Sequence, residues 1–291
     1  MTSNDNVGQN TNDAAVGGSG SGPKTARLYA DIAIDYNAAK TNPFKRYVEE
    51  PTFASAILNT SPSRSLSGQH VLDLGCGAGH YCRIMKEEMC ASIVRGVDVS
   101  DAMLAEARRR EARSPLGIQY TCQDLLDPSA DANIRTAFGT PTQVDLVTAE
   151  YLLPYAANAD ELNWLCANAA SLVKPGGRFV SIVSMCTDSI VSASRDGLLE
   201  CEELGWAATW DGEHHDGMCV EMTLFGEARS TRVSFPNYLW TRETIEGALK
   251  TAGFTEIGWI PIVAGHDVPD AFRGVTDAIN KTPVGVFVAN K

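Results

Sequence analysis

The residues best suited to bind a ligand lie in one glycine-rich stretch, which reads VLDLGCGAGHY over positions 71–81. Its first residues form an apolar run typical of a buried parallel strand, and the alternating glycines predict a tight turn that opens a helix. Glycine has no Cβ, so a ligand can approach the turn backbone closely, and the turn can adopt positive φ. The start of the following helix offers unpaired N–H groups. The stretch therefore predicts a ligand crevice of the kind found in doubly wound α/β sheets.

The spacing of the glycines and one acid indicate which kind of ligand the turn would accept. A dinucleotide-binding turn follows the pattern G-x-G-x-x-G, whereas Gly75, Gly77 and Gly79 alternate here and His80 follows them. Asp73 precedes the first glycine by two positions, and its negative charge would oppose a pyrophosphate but suit an ammonium or sulfonium group. Both features count against a nicotinamide-dependent oxidoreductase, which we keep as the less favoured alternative.

Two further acids follow neighbouring predicted strands. Asp98 ends the second strand, where a carboxylate can accept hydrogen bonds from both hydroxyls of a ribose. The alternative role for Asp98 is that of a helix N-cap, for which Ser100 or Asp101 is better placed. Asp124 follows the third strand, and it belongs either to the same site or to an ordinary loop.

Strand and helix patterns alternate from Gln69 onward, with short loops between them. Such alternation predicts a parallel sheet with right-handed crossovers and helices on both faces. The alternation breaks after Met185, where strand-like runs at 218–225 and 230–235 predict an antiparallel hairpin inserted over the sheet. The remaining expectations are strands at 70–75, 92–98, 118–122, 144–149, 178–186, 255–262 and 283–289, and helices at 80–90, 101–112, 129–138, 158–172 and 242–252.

The N-terminal part is expected to contain a tail and two helices. Residues 1–24 are rich in Asn, Gly, Ser and Asp and carry almost no apolar side chains, which predicts disorder. Order is expected from Thr25, with a helix that Asn42-Pro43 ends and a second helix over 46–58. The resulting division is a tail over 1–24, a helical segment over 25–67, a ligand-binding core over 68–186, a cap insertion over 187–240, and a C-terminal helix with strands over 241–291.

Charge and composition restrict the partners of the chain. The formal net charge of −12 disfavours a nucleic-acid substrate, because an acidic surface repels the phosphate backbone. There is no run of about 18 or more apolar residues and no apolar N-terminal leader, so we expect neither a membrane span nor secretion. None of the eight cysteines forms a C-x-x-C pair or has zinc-site spacing, which favours reduced, buried thiols and no metal. We therefore expect a cytoplasmic protein, either a monomer or a homodimer.

The stretch from Asp73 to Gly79 has the form D-x-G-x-G-x-G and resembles motif I of class I S-adenosylmethionine-dependent methyltransferases. Asp98, Asp124 and the segment LVKPGG at 172–177, which is similar to the fifth-strand signature of that family, extend the resemblance over residues 71–183. The resemblance implies a doubly wound, seven-stranded Rossmann-like sheet, S-adenosylmethionine as the cofactor, and methyl transfer to a small-molecule acceptor. More narrowly, segments at 29–36, 42–52, 151–156 and 237–244 resemble the small-molecule subgroup of secondary metabolism that includes toxoflavin-type N-methyltransferases.

The resemblance also implies which residues bind the cofactor. Asp98 would hold the ribose, and Asp73 would lie near the ammonium group of the methionine part. The helices over 25–67 would close over the cofactor as a lid, although their tyrosines could instead be aromatic contacts between lid and core. The implied binding residues are, for the methionine part, Gly75, Cys76 and Gly77; for the adenine, Val99, Met103, Asp124 and Leu125; from the lid, Tyr29, Tyr36 and Arg46; and from the fourth strand and the segment after it, Ala149 and Tyr155.

The acceptor side carries fewer signals. His214, His215 and Glu150 are the candidate general bases, chosen by side-chain type; a solvated loop pair and a surface acid at a strand end are their alternative interpretations. Aromatic side chains that could form a wall for the acceptor, or could fill a core instead, are Tyr151, Trp206, Trp210, Tyr238 and Trp240. The acceptor atom stays open among nitrogen, oxygen and sulfur, and a catalytically silent protein that binds the cofactor is a second alternative.

Overall fold

The computed structural model describes residues 22–59, 63–139, 143–187, 198–201, 204–226, 231–265, 268–269 and 283–291. The tail expected over 1–24 lies outside this part of the chain, except for residues 22–24, which are helical. The first helix thus begins at Gly22, three residues before the expected start of order at Thr25. Among the described helices, none combines the length and the apolarity that a transmembrane span requires.

A seven-stranded sheet lies at the centre of the described structure. Numbered along the chain, its strands are β1 His70–Leu74, β2 Ile93–Asp98, β3 Gln119–Cys122, β4 Val144–Glu150, β5 Val173–Ser184, β10 Glu256–Ile260 and β11 Val284–Asn290. The order across the sheet is β3-β2-β1-β4-β5-β11-β10; β1 to β5 are parallel, β11 is antiparallel to β5, and β10 is antiparallel to β11. The predicted doubly wound, seven-stranded Rossmann-like architecture is confirmed.

Helices cover both faces of this sheet. The apolar run of β1 reflects that cover, because Val71, Leu72 and Leu74 are each at most 2 % exposed, as expected for a central parallel strand. Side chains alternate between faces, so Val71 packs into one apolar core while Leu72 and Leu74 pack into another. The helices are α1 Gly22–Ala39, α2 Glu50–Asn59, α3 His80–Glu87, α4 Asp101–Arg113, α5 Ala130–Phe138, α6 Ala159–Leu172 and α7 Arg242–Thr251.

The second expected helix, over 46–58, has a different form in the structure. The segment Lys45–Glu49 is a π-helical turn that leads into α2. Pro51 accounts for the difference, because it lacks the N–H that an α-helix would donate to the carbonyl of Tyr47. The N–H of Gly265 donates to that carbonyl instead, at 2.7 Å. The turn buries the side chains at both of its ends.

The segment expected as a turn before the fifth strand is a bulge inside β5. Residues 174–177 leave the ladder to β4, so the strand begins at Val173 rather than at 178. The last residue of the chain closes the bulge. The Gly176 N–H donates to the carbonyl of Lys291 at 2.9 Å, and the Lys291 N–H donates to the carbonyl of Gly177 at 3.1 Å.

A separate four-stranded antiparallel sheet, which we call the cap sheet, follows β5. Its strands, in spatial order, are β6 Leu198–Cys201, β7 Trp206–Thr209, β8 Met218–Phe225 and β9 Arg232–Leu239. The predicted hairpin over 218–225 and 230–235 is confirmed, and two more strands extend it. Trp206, Met222 and Phe235 of the cap sheet belong to the same apolar cluster as Phe44, beside the π-helical turn.

Candidate functional site

A cavity of about 550 Å³ lies at the carboxyl ends of β1, β2, β3 and β4, with α1 along one side. Ligands of doubly wound sheets bind at this edge. Most residues that the sequence implicated in cofactor binding line the cavity, together with two of the acceptor-side candidates. These residues are Tyr29, Tyr36, Arg46, Gly75, Cys76, Gly77, Asp98, Val99, Met103, Asp124, Leu125 and Tyr155, and then Glu150 and Tyr151.

The glycine turn forms one wall of this cavity. The N–H groups of Gly75 and Cys76 both donate to one carbonyl of β2, at 2.8 and 2.9 Å, which ties the turn to that strand. Gly77 has a φ of 53°, and a Cβ built there meets no atom within 4 Å, so the backbone is open to a ligand. Gly79 has a packing role instead, because a Cβ there would collide with the hydroxyl of Tyr120.

Asp98 connects the turn to the start of α4. Its Oδ2 accepts a hydrogen bond from the Gly77 N–H at 2.7 Å, and its Oδ1 accepts one from the Ser100 N–H at 2.8 Å. Burial raises the pKa of this carboxyl, although the backbone hydrogen bonds oppose the rise. Ser100 is the N-cap of α4, because its hydroxyl accepts from the Met103 N–H at 3.3 Å. The capping role therefore falls to Ser100, and Asp98 lines the cavity.

The residues implicated in adenine binding lie beyond the ends of β2 and β3. Asp124 lines the cavity, and its Oδ1 accepts from the Leu126 N–H at 2.9 Å. Burial raises the pKa of this carboxyl. Met103 is 2 % exposed and packs with Tyr29 and Ala78. Met103 is thus a core residue of α4 and a wall of the cavity at the same time.

Helix α1 contributes the aromatic side of the cavity. The Tyr29 hydroxyl is hydrogen-bonded to the Tyr155 hydroxyl. The rings of Tyr29 and Tyr36 meet edge to face, with centroids 5.0 Å apart, and Tyr36 meets Phe235 of the cap sheet at 5.4 Å. Both tyrosines therefore line the cavity, and Tyr36 is also an aromatic contact between α1 and the cap sheet. Arg46 lines the cavity too, but its side chain is exposed.

An ion cluster, formed by Lys40, Lys45, Glu49 and Glu150, lies between the lid and the end of β4. Its two lysines were missed from the sequence. Lys40 Nζ pairs with Glu150, while Lys45 Nζ lies 2.7 Å from Glu49 and 3.2 Å from Glu150. The i, i+4 spacing of Lys45 and Glu49 is a signal that a search for helical ion pairs could have found. Glu150 is 105 positions away from Lys45, so only the fold brings it into the cluster.

The cluster changes the chemistry of Glu150. Burial alone would raise the pKa of its carboxyl, but attraction to Lys40 and Lys45 outweighs burial and holds that pKa well below its usual range. Burial would likewise lower the pKa of Lys40, but Glu150 and Glu49 outweigh it and raise that pKa. Glu150 is consequently an ionised partner of two ammonium groups, and an ionised carboxylate of such low pKa is a weak general base near neutral pH.

Two residues implicated in cofactor binding lie in the interior instead of the cavity. Asp73 is 2 % exposed, and its carboxylate accepts hydrogen bonds from the Thr148 hydroxyl at 2.8 Å and the Cys82 thiol at 3.4 Å. Burial raises the pKa of Asp73 to about 7. Ala149 is fully buried in the apolar core. Neither side chain lines the cavity, and the cofactor contacts expected of both stay predictions.

The two histidines proposed as bases lie outside the lining of this cavity. His214 and His215 are exposed in the loop between β7 and β8, and neither lines the cavity. The Nδ1 of His215 lies 3.2 Å from the carbonyl of Glu213 in the same loop. Their interpretation as a solvated loop pair fits the structure better than a catalytic role, because the hairpin turns its tip toward solvent.

The aromatic candidates for the acceptor wall separate into two groups. Trp210 and Trp240 are buried among apolar side chains, and the Trp240 Nε1–H donates to the carbonyl of Ala156 at 3.1 Å. Tyr238 lies opposite Cys219 in the cap sheet. None of these three lines either cavity described here. Tyr151 and Trp206, in contrast, both line a second, smaller cavity.

The second cavity has a volume of about 50 Å³ and adjoins the first. Five residues line both cavities and form the boundary between them: Tyr36, Lys40, Asn42, Lys45 and Tyr151. The remaining walls come from the π-helical turn, the cap sheet and the ends of β5 and β11, through Phe44, Glu49, Ser184, Trp206, Met222, Leu224, Phe235, Asn237, Pro283 and Val284. The ion cluster therefore lies where a large cavity meets a small one.

Comparison with known proteins agrees with this geometry. A family model described as "Methyltransferase domain" matches residues 71–177. A ubiquinone biosynthesis O-methyltransferase of Coxiella burnetii (strain Dugway 5J108-111) is 32% identical over 114 residues, which are 39% of this chain and 43% of that protein. The chain thus matches less than half the length of this curated relative.

Solved structures show the same fold. An S-adenosylmethionine-dependent methyltransferase from Clostridium acetobutylicum ATCC 824 superposes with a TM-score of 0.55 at 18% identity, over 92% of this chain and 98% of that one. CalS10, an amino pentose methyltransferase from Micromonospora echinaspora solved with S-adenosylmethionine bound, gives a TM-score of 0.51 at 20% identity, over 83% and 89%. The narrower resemblance to toxoflavin-type enzymes stays a prediction. Residues 71–177 match a methyltransferase domain, and the chain shares its fold with these S-adenosylmethionine-dependent methyltransferases.

Proposed function

We propose that this protein binds S-adenosylmethionine in the large cavity and transfers its methyl group to a small molecule held beside the ion cluster. The observation that carries the proposal is the boundary shared by the two cavities, because it joins a nucleoside-type crevice to a compartment closed by the cap sheet. The net charge of −12 and the small size of the second cavity support a small acceptor over a nucleic acid.

The residues present fit this cofactor. Gly77 leaves its backbone open to the methionine part, next to Gly75 and Cys76. Asp98 would hold the ribose hydroxyls through its carboxylate, whose oxygens already accept from the backbone and can accept further hydrogen bonds. The other residues that we assign to the cofactor are Val99, Met103, Asp124 and Leu125 for the adenine, and Tyr29, Tyr36, Arg46 and Tyr155 from the lid side. Asp73 would act from beneath the turn, through the charge and packing of β1.

When bound, the cofactor supplies an electrophilic methyl group on a sulfonium. The chain then has two tasks, which are to align the acceptor with that methyl group and to exclude water. Alignment of this kind contributes on the order of 7–11 kcal/mol to lowering a barrier. The lid tyrosines and the cap sheet perform both tasks here, because they form the aromatic boundary of the two cavities. Glu150 would hold Lys40 and Lys45 in place rather than accept a proton.

Two of the matched proteins are named for different acceptors. The Coxiella relative is named an O-methyltransferase, whereas CalS10 is named for an amino pentose. Each name describes that protein alone. The cap sheet and the N-terminal helices build the second cavity, and both lie outside the matched residues 71–177.

The assignment of Asp98 can be tested by calorimetry. We expect Asp98→Asn to weaken S-adenosylmethionine binding at least tenfold, because an amide offers one acceptor oxygen where the carboxylate offers two. Asp101→Asn is the matched control, since Asp101 is an exposed acid in the first turn of α4, and it should bind as the wild type does. Equal affinity of wild type and Asp98→Asn would contradict the assignment.

Turnover needs a separate measurement. Wild-type protein incubated with methyl-labelled S-adenosylmethionine and a cell extract should label a small molecule. Binding without any labelled small product would instead favour the catalytically silent alternative.

A further inference from the structure

Lys40 has a position that its role as a partner of Glu150 does not require. It follows α1 directly and lines both cavities. Its Nζ lies 5.2 Å from the ring centroid of Tyr36 and 5.3 Å from that of Tyr151. The ammonium group is therefore held between two aromatic rings at the boundary where the methyl donor and the acceptor would meet.

Lys40 also has hydrogen-bonding capacity to spare. An ammonium group carries three donors. Within the described part of the chain, the Nζ of Lys40 has one hydrogen-bond acceptor, Glu150, whereas the Nζ of Lys45 has two, Glu49 and Glu150. Two donors of Lys40 therefore remain for a ligand, and Lys45 has fewer to offer.

The surroundings keep this charge in place. Burial would lower the pKa of Lys40, but Glu150 and Glu49 outweigh it, so the group stays protonated. Burial raises the pKa of Tyr36 and of Tyr151, which keeps both phenols neutral. The charged or titratable groups that act on Lys40 are Tyr36 on α1, Glu49 on the π-helical turn, Asp73 on β1, and Glu150 and Tyr151 at the end of β4. Lys45 shares the partner Glu150, and its own Nζ lies 4.6 Å from the ring centroid of Tyr81 on α3.

The rest of the second cavity is aromatic and apolar. Trp206 and Phe235 provide rings from the cap sheet, and Met222 provides an adaptable side chain. Flat rings suit such walls. In surroundings of low polarity a fixed positive charge favours a bound anion far more than it would in water.

We propose that the Lys40 ammonium binds an acceptor oxygen in its anionic form, so that the acceptor is a planar phenol or enol whose hydroxyl ionises on binding. This inference rests on the proposed function, which supplies the electrophile. The O–H bond breaks heterolytically, its proton passes to solvent water, and the oxygen keeps the electron pair. The resulting oxyanion is a nucleophile, so no side chain has to act as a base. This agrees with the pairing of Glu150 with Lys40 and Lys45, which makes Glu150 a weak base.

The test uses 4-nitrophenol as the probe, because its phenolate is coloured and its phenol form is not. The first step measures binding of S-adenosylhomocysteine to the full-length protein by calorimetry. The probe is then titrated with protein saturated with S-adenosylhomocysteine, between pH 5 and 9. We expect the ratio of phenolate to phenol in the bound probe to be at least tenfold higher than in free probe at the same pH. Lys40→Met should abolish that increase.

Three comparisons make the result specific. Lys45→Met removes the same charge from the same cluster, and it should reduce the increase less than Lys40→Met does. Lys250→Met changes an exposed lysine on α7 and should leave it unaffected. The neutral analogue 4-nitroaniline should bind equally well to wild type and Lys40→Met.

Each failure has a distinct meaning. Loss of S-adenosylhomocysteine binding by the wild type would contradict the proposed function itself. If S-adenosylhomocysteine binds but the wild type leaves the probe's ionisation unchanged, or does not bind the probe, the role of Lys40 is wrong. Equal losses in Lys40→Met and Lys45→Met would also overturn it, because the effect would then come from net charge and not from contact with Lys40.

Discussion

Asp73 shows how a residue of the glycine motif can be buried and still not line the cavity that the motif forms. Its position before the glycines predicted a ligand contact. In the structure, the carboxyl instead lies among buried groups and bonds to Thr148 and Cys82. Burial raises its pKa to about 7, so a large part of the population carries a proton at neutral pH. Its negative charge thus depends on pH over the range where a cell operates.

This shift predicts how stability changes with pH. The folded-state pKa lies above that of an unfolded aspartate, so the folded protein binds more protons between the two values, and stability falls as pH rises toward 7 and above. Asp73→Asn keeps an acceptor for Thr148 without a charge. We expect urea unfolding to show wild type losing stability relative to Asp73→Asn between pH 5 and pH 8. A stability difference that stays constant with pH would contradict the buried, proton-binding carboxyl.

At the scale of elements, the large cavity is built from segments that are distant in sequence. Helix α1 packs against α4, β8 and β9 and contributes Tyr29, Tyr36 and Asn37 to the cavity wall. Its link to the segment after β4 is the hydroxyl pair of Tyr29 and Tyr155, which lie 126 positions apart. The side of α1 that lines the cavity gains further packing contacts when a ligand fills the cavity.

This arrangement predicts ligand-dependent protection of α1. We expect S-adenosylhomocysteine to slow amide hydrogen exchange in residues 25–39, because the ligand would complete the packing of this helix. Helix α7 is the internal control, since its apolar face packs against α6 and it lines neither cavity described here. Protection that appears equally in both helices would indicate general stabilisation, and the assignment of α1 as a lid would then be wrong.

At the scale of the whole molecule, Trp240 connects the two sheets. It follows β9 of the cap sheet, pairs with Met185 just beyond β5, and donates its Nε1–H to the carbonyl of Ala156. The ring also packs closely on Gly217, where a Cβ would overlap it. Trp240 thus has a structural role between the two sheets, and it lines neither cavity described here.

Trp240→Phe should therefore destabilise the whole fold. The substitution leaves a buried carbonyl without its donor and removes packed ring atoms, and we expect a loss of about 2–4 kcal/mol in the free energy of unfolding. Trp259→Phe is the matched control: its Nε1–H bonds to Glu246 at a half-buried position, and we expect about 1 kcal/mol. Denaturant unfolding measures both. Equal losses in the free energy of unfolding would show that Trp240, between the two sheets, contributes no more to stability than Trp259 does.

Short-range patterns predicted much of this protein. The buried strand, the glycine turn, Asp98 and the cap at Ser100 all lie within residues 71–103, where backbone geometry follows directly from local residue types. The alternation of strands and helices likewise predicted the sheet, because periodic burial depends on neighbours along the chain. Two features depend on residues distant in sequence, and local patterns did not predict them. The bulge at 174–177 is closed by backbone hydrogen bonds with Lys291. At the π-helical turn Lys45–Glu49, the Gly265 N–H donates to the Tyr47 carbonyl, which Pro51 cannot reach because it has no N–H.

The sequence by itself therefore predicted the methyltransferase domain and most of the residues that line the large cavity. Only the tertiary structure showed which side chains meet at the boundary with the second cavity. It brought Lys40, Lys45 and Glu150 together and left His214 and His215 in solvent. It also buried Trp240 between the sheets while Trp206 came to line a cavity. The physical reason is that an ion pair or a cavity wall depends on distance in space. Residue types alone do not indicate which residue, more than a hundred positions away in sequence, the fold will bring into contact.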